Sequence, residues 1–311
     1  MGTPDFSVPT LNQLIEKHEV VAVVTQPDKR KGRGKAMQFP PVKEAALAHD
    51  IPVYQPVKVR EPDFIRILAE IAPDVIVVVA FGQILPEEIL NLPKYGCINV
   101  HASLLPRYRG AAPIQWAVIN GEKETGVTTM YMAKGLDTGD MIDKVVVPVE
   151  ARETGESLHD KLSQAGGSLI LETLRKLEEG TAVRIPQKDE ESSYAGMLTK
   201  ELGRIDWKQD ARYIERLIRG LNSWPSAYTG LNGKTLKIWD ADLADAESCP
   251  KGARPGNPGT IAAVTKDSFY VVTGQGLLKV NEVQLQGKKR MPVSSFLLGY
   301  KISEGMQLGD E

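Results

Sequence analysis

The sequence predicts an α/β domain built on a mostly parallel sheet with helices on both faces, followed by a small β domain. Three observations carry this prediction. Continuous apolar runs rich in β-branched residues recur in the first half, notably "VVAVV" (20–24) and "DVIVVVAF" (74–81). Helical patterns separate these runs. Beyond residue 221 the pattern changes to short segments broken by Gly, Pro and Asp. Strands that are apolar on both faces and alternate with helices belong to a sheet covered on both sides. Several short strands with turn residues between them suggest a small antiparallel barrel.

Taken in order, "MGTPDFSVP" reads as a turn and "VPTLNQLIEKH" (8–18) as a helix. The strand at 20–24 follows. Helical patterns occupy 62–71, 85–92 and 112–120, and strands 74–81, "GCINVH" (96–101) and "GVTTMYM" (126–132). Residues 157–180 form a long amphipathic helix, with Ser157 as its N-cap and Gly180 as its C-cap. Residues 181 to about 203 are polar and irregular. A helix is expected at 209–221, then strands in "KTLKIWDADL", "GTIAAV", "SFYVVT" and "LLKVNEVQL". This gives a first domain over 1–188, a linker over 189–203 and a second domain over 204–311.

Composition narrows the function. The 311 residues carry 38 Lys and Arg against 40 Asp and Glu, a formal net charge of −2. A nucleic-acid partner therefore requires basic residues gathered locally. Two cysteines, Cys97 and Cys249, form neither a disulfide framework nor a zinc motif, which fits a reducing cytoplasm. No apolar run approaches the ~20 residues of a membrane helix, and the N-terminus lacks the pattern of a signal peptide. "GRGKAM" (32–37) fails as a dinucleotide fingerprint at Met37, and "GLNGKT" (230–235) fails as a phosphate loop at Tyr228.

One constellation survives. Residues two apart on a strand share a face, so Asn99 and His101 lie together at the carboxyl end of a strand expected to be parallel, where open α/β sheets place their ligands. "KGLDTGDM" (134–141) follows the next strand and brings Asp137 and Asp140 to the same edge. An amide can donate to a developing oxyanion, a histidine can move a proton, and a carboxylate can orient the imidazole. That set suits acyl transfer to a nucleophile carried by a substrate. Spacing alone equally allows a structural histidine flanked by turn-capping Asn99 and Asp137. Ser103 lies in no nucleophile elbow.

The stretch "NVHASLLPRYRGAAPIQWAVINGEKETGVTTMYMAKGLDTGDM" (99–141) resembles the signature of the folate-dependent formyltransferases, with N, H, SLLP and the later D in order. The similarity extends through "MGTPDFSVP", "VVTQPDKRKGRGK", "AFGQILP" and "RGLNSWPSAY" to the C-terminal strands, and it points to the branch of the family that acts on tRNA. The resemblance implies a Rossmann-like catalytic domain and an OB-like C-terminal barrel. It implies transfer of the formyl group of 10-formyltetrahydrofolate to the amino group of initiator methionyl-tRNA, without a metal. Carried over by position, Asn99, His101 and Asp137 form the catalytic set, and Ser103, Leu104, Leu105 and Pro106 form part of the folate site. Five of the seven residues from Lys29 to Lys35 are basic. This loop is similar to the family's tRNA-contacting insertion, which assigns Lys29, Arg30, Lys31, Arg33 and Lys35 to tRNA. In the barrel Lys288, Lys289 and Arg290, with Lys279 nearby, are expected to continue this tRNA-binding track. A cytoplasmic monomer is expected. The rivals are a formyltransferase acting on an amino-sugar nucleotide and an RNA-binding module without activity.

In that family the turn matching "MGTPDFSVP" follows a short apolar strand. The sequence therefore carries the further expectation that Met1 is an internal methionine, with about 5–6 residues of strand upstream. An apolar slot is then expected beside the strand at 20–24 or the one at 74–81.

Overall fold

A computed structural model describes residues 1–31, 36–244, 250 and 256–309. The chain divides into two compact units. The first comprises Met1–Pro113, Glu124–Pro148 and Leu158–Gly196, and the second comprises Ile114–Lys123, Val149–Ser157 and Met197–Glu311. The first unit thus surrenders two short internal segments, which the sequence places within 1–188. Apolar packing accounts for the first, where Ile119 on the helix Pro113–Asn120 is buried with Leu217 and Leu221, and ion pairs for the second, where Arg152 pairs with Asp240 and Asp242.

In the first unit Val23–Val24 pairs in parallel with Val53–Tyr54, and Ile76–Val78 pairs in parallel with Cys97–His101. Val23 packs with Leu11, Val42 and Ala46, whereas Val24 packs with Phe64, Leu68, Ile76 and Val78. Consecutive strand residues point to opposite faces. The helices Val8–Lys17 and Pro41–Leu47 therefore cover one face, and the helix Pro62–Ile71 covers the other. The sheet continues from Cys97–His101 to Glu124–Tyr131 and then to Met141–Pro148, both in antiparallel pairings. The expected strand at 126–132 is present but runs against its neighbour, and its partner at 141–148 is an additional strand. The long helix Gly155–Glu178 lies against this region at Gly166, where a Cβ would stand 2.9 Å from Val100 Cγ1. Its N-cap is Thr154 rather than Ser157: Ser157 N donates to Thr154 Oγ1 and Thr154 N donates to Ser157 Oγ, both at 3.0 Å. Gly180 ends the helix in the left-handed region, φ +69°.

Met1 and Gly2 join the two parallel pairs. Gly2 N donates to Val24 O at 3.0 Å, and Val79 N donates to Met1 O at 2.9 Å. The Met1 amino group donates to Val77 O at 2.7 Å, and burial lowers its pKa from 8.0 to about 6. Beside this junction is a largely apolar cavity of about 330 Å³, lined by Leu11, Val23, Val42, Leu68, Ile76 and Val79 among others.

The second unit is an antiparallel sheet in the order Ala227–Leu231, Lys234–Ala244, Leu277–Leu285, Phe269–Val272, Ile261–Val264, with Met291–Pro292 against Leu277–Leu285. The segment 305–309 spans its two edges: Leu308 N donates to Gly259 O and Gly309 N donates to Gly230 O. The helix Ala211–Gly220, N-capped by the Asp210 carboxylate, buries Ile214 and Ile218 among Leu236, Phe269, Val271 and Phe296. Trp207 joins this core with its indole N–H satisfied by Thr229 Oγ1 at 3.0 Å.

Candidate active site

Alternation along Cys97–His101 places Cys97, Asn99 and His101 on one face, with Ile98 and Val100 on the other. His101 is buried, and its Nε2 lies 2.9 Å from the carbonyl oxygen of Tyr108. A carbonyl can only accept, so Nε2 carries the proton and Nδ1 is the free acceptor of the neutral ring. Nδ1 faces Asp137 Oδ2 at 3.7 Å, beyond the reach of a direct hydrogen bond. Asn99 Nδ2 lies 3.4 Å from Asp137 Oδ1, a long contact. The strongest bond to this carboxylate comes from the main chain: Gly110 N donates to Asp137 Oδ2 at 2.9 Å.

The structure therefore brings Asn99, His101 and Asp137 together, but by a different route from the one the sequence suggests. Because Glu124–Tyr131 is antiparallel, its end lies beside Ile98 rather than beside His101. Asp137 comes back along the site on the loop 132–140. It holds φ +53° there, a left-handed conformation that costs a non-glycine residue of order 1 kcal/mol or more. Asp140 does not join the trio. Its carboxylate lies 3.7 Å from Arg184 Nη1.

Ser103–Pro106 forms the turn after His101. Ser103 is fully buried, its hydroxyl donating to Arg107 O at 2.7 Å. Leu105 packs with Met130 and Met141. Ser103 is spent on the loop and Leu105 on the neighbouring strands, leaving Leu104 and Pro106 partly exposed as an apolar surface beside the strand end. Thr128 braces the turn by donating to Ser103 O at 2.7 Å and accepting from Leu105 N at 3.1 Å. Lys144 Nζ donates to Leu105 O at 2.5 Å, and burial lowers its pKa. Sequence reasoning missed Thr128, Lys144, Gly110 and the Tyr108 carbonyl. They act through backbone atoms or on backbone atoms, and residue spacing carries no signal for that. Gly110 alone had a local reason to be glycine: φ +114°, with Tyr194 Cε2 2.6 Å from where a Cβ would stand.

The basic segment, expected as a flexible loop, begins as a strand. Lys29–Lys31 pairs antiparallel with Ala36–Gln38, and Lys29 is exposed. Arg33 and Lys35 lie outside the described residues. In the second unit Lys288, Lys289 and Arg290 are all exposed. Arg290 bonds Glu282 and lies over the Trp239 ring, 4.7 Å from its centroid. Among the described residues no group of three or more His, Cys, Asp or Glu side chains could hold a metal ion, and no helix is long and apolar enough to cross a membrane.

The profile of the formyl transferase family matches residues 1–174, and that of the formyl transferase C-terminal domain matches 197–301. A curated methionyl-tRNA formyltransferase of Agathobacter rectalis is 60% identical over 306 residues, 98% of this chain and 97% of that protein. One from Lachnospira eligens is 55% identical over 311 residues, 100% of this chain and 98% of that protein. The crystal structure of an N-formyltransferase from Helicobacter canadensis, in complex with folinic acid and dTDP-3-aminofucose, shares the fold with a TM-score of 0.64 at 18% identity, over 93% of this chain and 97% of that one. With matching profiles over both parts of the chain and full-length relatives at this identity, the chain belongs to the formyl transferase family.

Proposed function

We propose that the chain transfers the formyl group of 10-formyltetrahydrofolate to the amino group of initiator methionyl-tRNA. The observation that carries this reading is the convergence of Asn99 Nδ2 and His101 Nδ1 on the Asp137 carboxylate. The activity named for the full-length relatives agrees with it. The amine forms a bond to the formyl carbon, the bond from that carbon to N10 breaks, and tetrahydrofolate leaves with a proton on N10; for this the chain supplies three things. Asn99 offers an amide N–H to the formyl oxygen as it gains negative charge. His101, with Nε2–H tied to Tyr108 O, keeps Nδ1 as the base for the proton of the attacking amine. Asp137, fixed by Gly110 N–H, stabilises the imidazolium that forms. The partly exposed side chains of Leu104 and Pro106 suit one wall for a flat heterocycle. The catalytic trio, the folate wall and tRNA contacts by Lys29, Arg30, Lys31, Arg33, Lys35, Lys288, Lys289 and Arg290 all belong to this proposal.

The test is incubation with 10-formyltetrahydrofolate and charged initiator tRNA, with uncharged initiator tRNA, charged elongator tRNA and a dTDP-amino sugar as controls. Formylation confined to charged initiator tRNA is expected. Formylation of the amino sugar in preference to the tRNA overturns the acceptor assignment.

A further inference from the structure

Gln187 stands outside the trio, in a polar stretch with no catalytic pattern, yet it binds the loop that presents Asp137. Its Nε2 donates to the carbonyl oxygens of Asp137 and Gly139, each at 2.8 Å. Its Oε1 accepts from Arg109 Nε at 3.0 Å. Arg109 is the residue before Gly110, whose N–H holds the Asp137 carboxylate. One amide side chain therefore clamps the backbone on both sides of Thr138 and the strand that anchors the carboxylate. The same strap reaches His101. Ser193 accepts from Tyr108 N through its hydroxyl and from Arg109 N through its carbonyl, both at 2.9 Å. Tyr108 O in turn fixes His101 Nε2.

We infer that Gln187 is a positioning residue for the formyl-transfer site, holding the Asp137 loop so that its carboxylate faces His101. This inference rests on the reading of Asn99, His101 and Asp137 as the reacting set. The loop needs an external restraint because Asp137 sits at φ +53°, a region non-glycine residues leave when free to do so. Only an amide of this length supplies two donors and one acceptor here. Glutamate keeps the acceptor for Arg109 but turns lone pairs toward the two carbonyls, and methionine fills the space without donating.

The experiment measures kcat and KM for both substrates in the full chain and in Gln187→Met, Gln187→Glu, Asp137→Ala and the Gln187→Met/Asp137→Ala double variant, with thermal unfolding of each. Both Gln187 variants are expected to lose about 10–100-fold in kcat, the scale of a small misplacement of a reacting group. KM for either substrate should change by less than about twofold. In the Asp137→Ala background, Gln187→Met should change kcat by less than about twofold, because the two substitutions remove one shared effect. Wild-type kcat in Gln187→Met overturns the inference. So does an equal fold-loss with and without Asp137, or failure of both Gln187 variants to show a cooperative unfolding transition, since each assigns Gln187 a purely structural role. Wild-type kcat in Asp137→Ala removes the reading of the trio, and the inference with it, independently of any Gln187 variant.

Discussion

His101 bonds Tyr108 O through Nε2 while its Nδ1 faces Asp137, and this division sets what each residue of the proposed site is expected to contribute. Asn99→Ala should lose about 10²–10³ in kcat, the usual cost of one oxyanion donor. His101→Ala should lose about 10²–10⁴, the range of a positioned general base. Steady-state kinetics with unchanged far-UV dichroism checks both, and near-normal turnover in either variant removes that residue from the set. Cys97, two residues before Asn99 on the same face, is a contrasting case. It is buried, its thiol donates to Ile89 O at 3.5 Å, and burial raises its pKa to about 12. An ordinary thiol, with a pKa of about 8.5, becomes thiolate between pH 7 and 9, whereas Cys97 stays protonated across that window. Iodoacetamide labelling of the native chain, mapped by peptide mass, should therefore leave Cys97 unmodified at both pH 7 and pH 9 and modify it only after unfolding. Labelling at pH 9 at the rate of a free thiol refutes the burial argument. The pairing of Asn99 with His101 was legible because strand alternation is a local property. The contacts that fix the site were not. A backbone N–H at Gly110 and a backbone carbonyl at Tyr108 leave no mark on side-chain spacing.

The elements divide in the same way. The helix Pro62–Ile71 matches its expected limits because Pro62 opens it and its apolar face is regular. The strand Glu124–Tyr131 was legible as a strand but not in its direction, since β-branched composition is the same whichever way the chain runs. Met141–Pro148 escaped notice as a strand although its later residues alternate in burial. The stretch 189–203, expected as a linker, contributes Tyr194–Ala195, which pairs in parallel with Arg109–Gly110. A two-residue pairing through main-chain atoms has no compositional signature. Gly126 tests how tightly the strands support the site. A Cβ there would stand 2.0 Å from Val145 O and 2.6 Å from Leu104 Cδ2. The carbonyl belongs to the paired strand and cannot yield without opening the ladder. Gly126→Ala should cost about 1–3 kcal/mol, the usual range for overpacking. It should also raise KM for the folate substrate, because Leu104 is displaced from the proposed wall. Thermal unfolding with donor-side kinetics measures both, and an unchanged midpoint shows that the strands can separate at little cost.

At the scale of the whole chain, a net charge of −2 hides a local arrangement. Lys29 is exposed on the paired strand Lys29–Lys31 of the first unit, and Lys288, Lys289 and Arg290 are exposed beyond the end of Leu277–Leu285 in the second. Such residues act on a polyanion through its phosphates, and neutralising phosphates releases counterions, so affinity falls linearly with the logarithm of salt concentration. Arg290 differs from the two lysines before it. Its guanidinium is shared between Glu282 and the Trp239 ring, so its substitution disturbs packing as well as charge. Lys288 and Lys289 are the cleaner probes. Lys288→Ala and Lys289→Ala should each weaken tRNA binding and reduce the salt slope by about one unit per phosphate contact removed. KM for the folate substrate should not move, because these lysines are not among the residues proposed for the donor site, Ser103–Pro106. Arg33→Ala, on sequence grounds, should behave in the same way from the first unit. The measurement is kcat/KM for charged initiator tRNA across a series of potassium chloride concentrations. A slope unchanged in all three variants removes these residues from the tRNA contact set. A fall in folate affinity with unaltered tRNA kinetics reassigns them to the donor side.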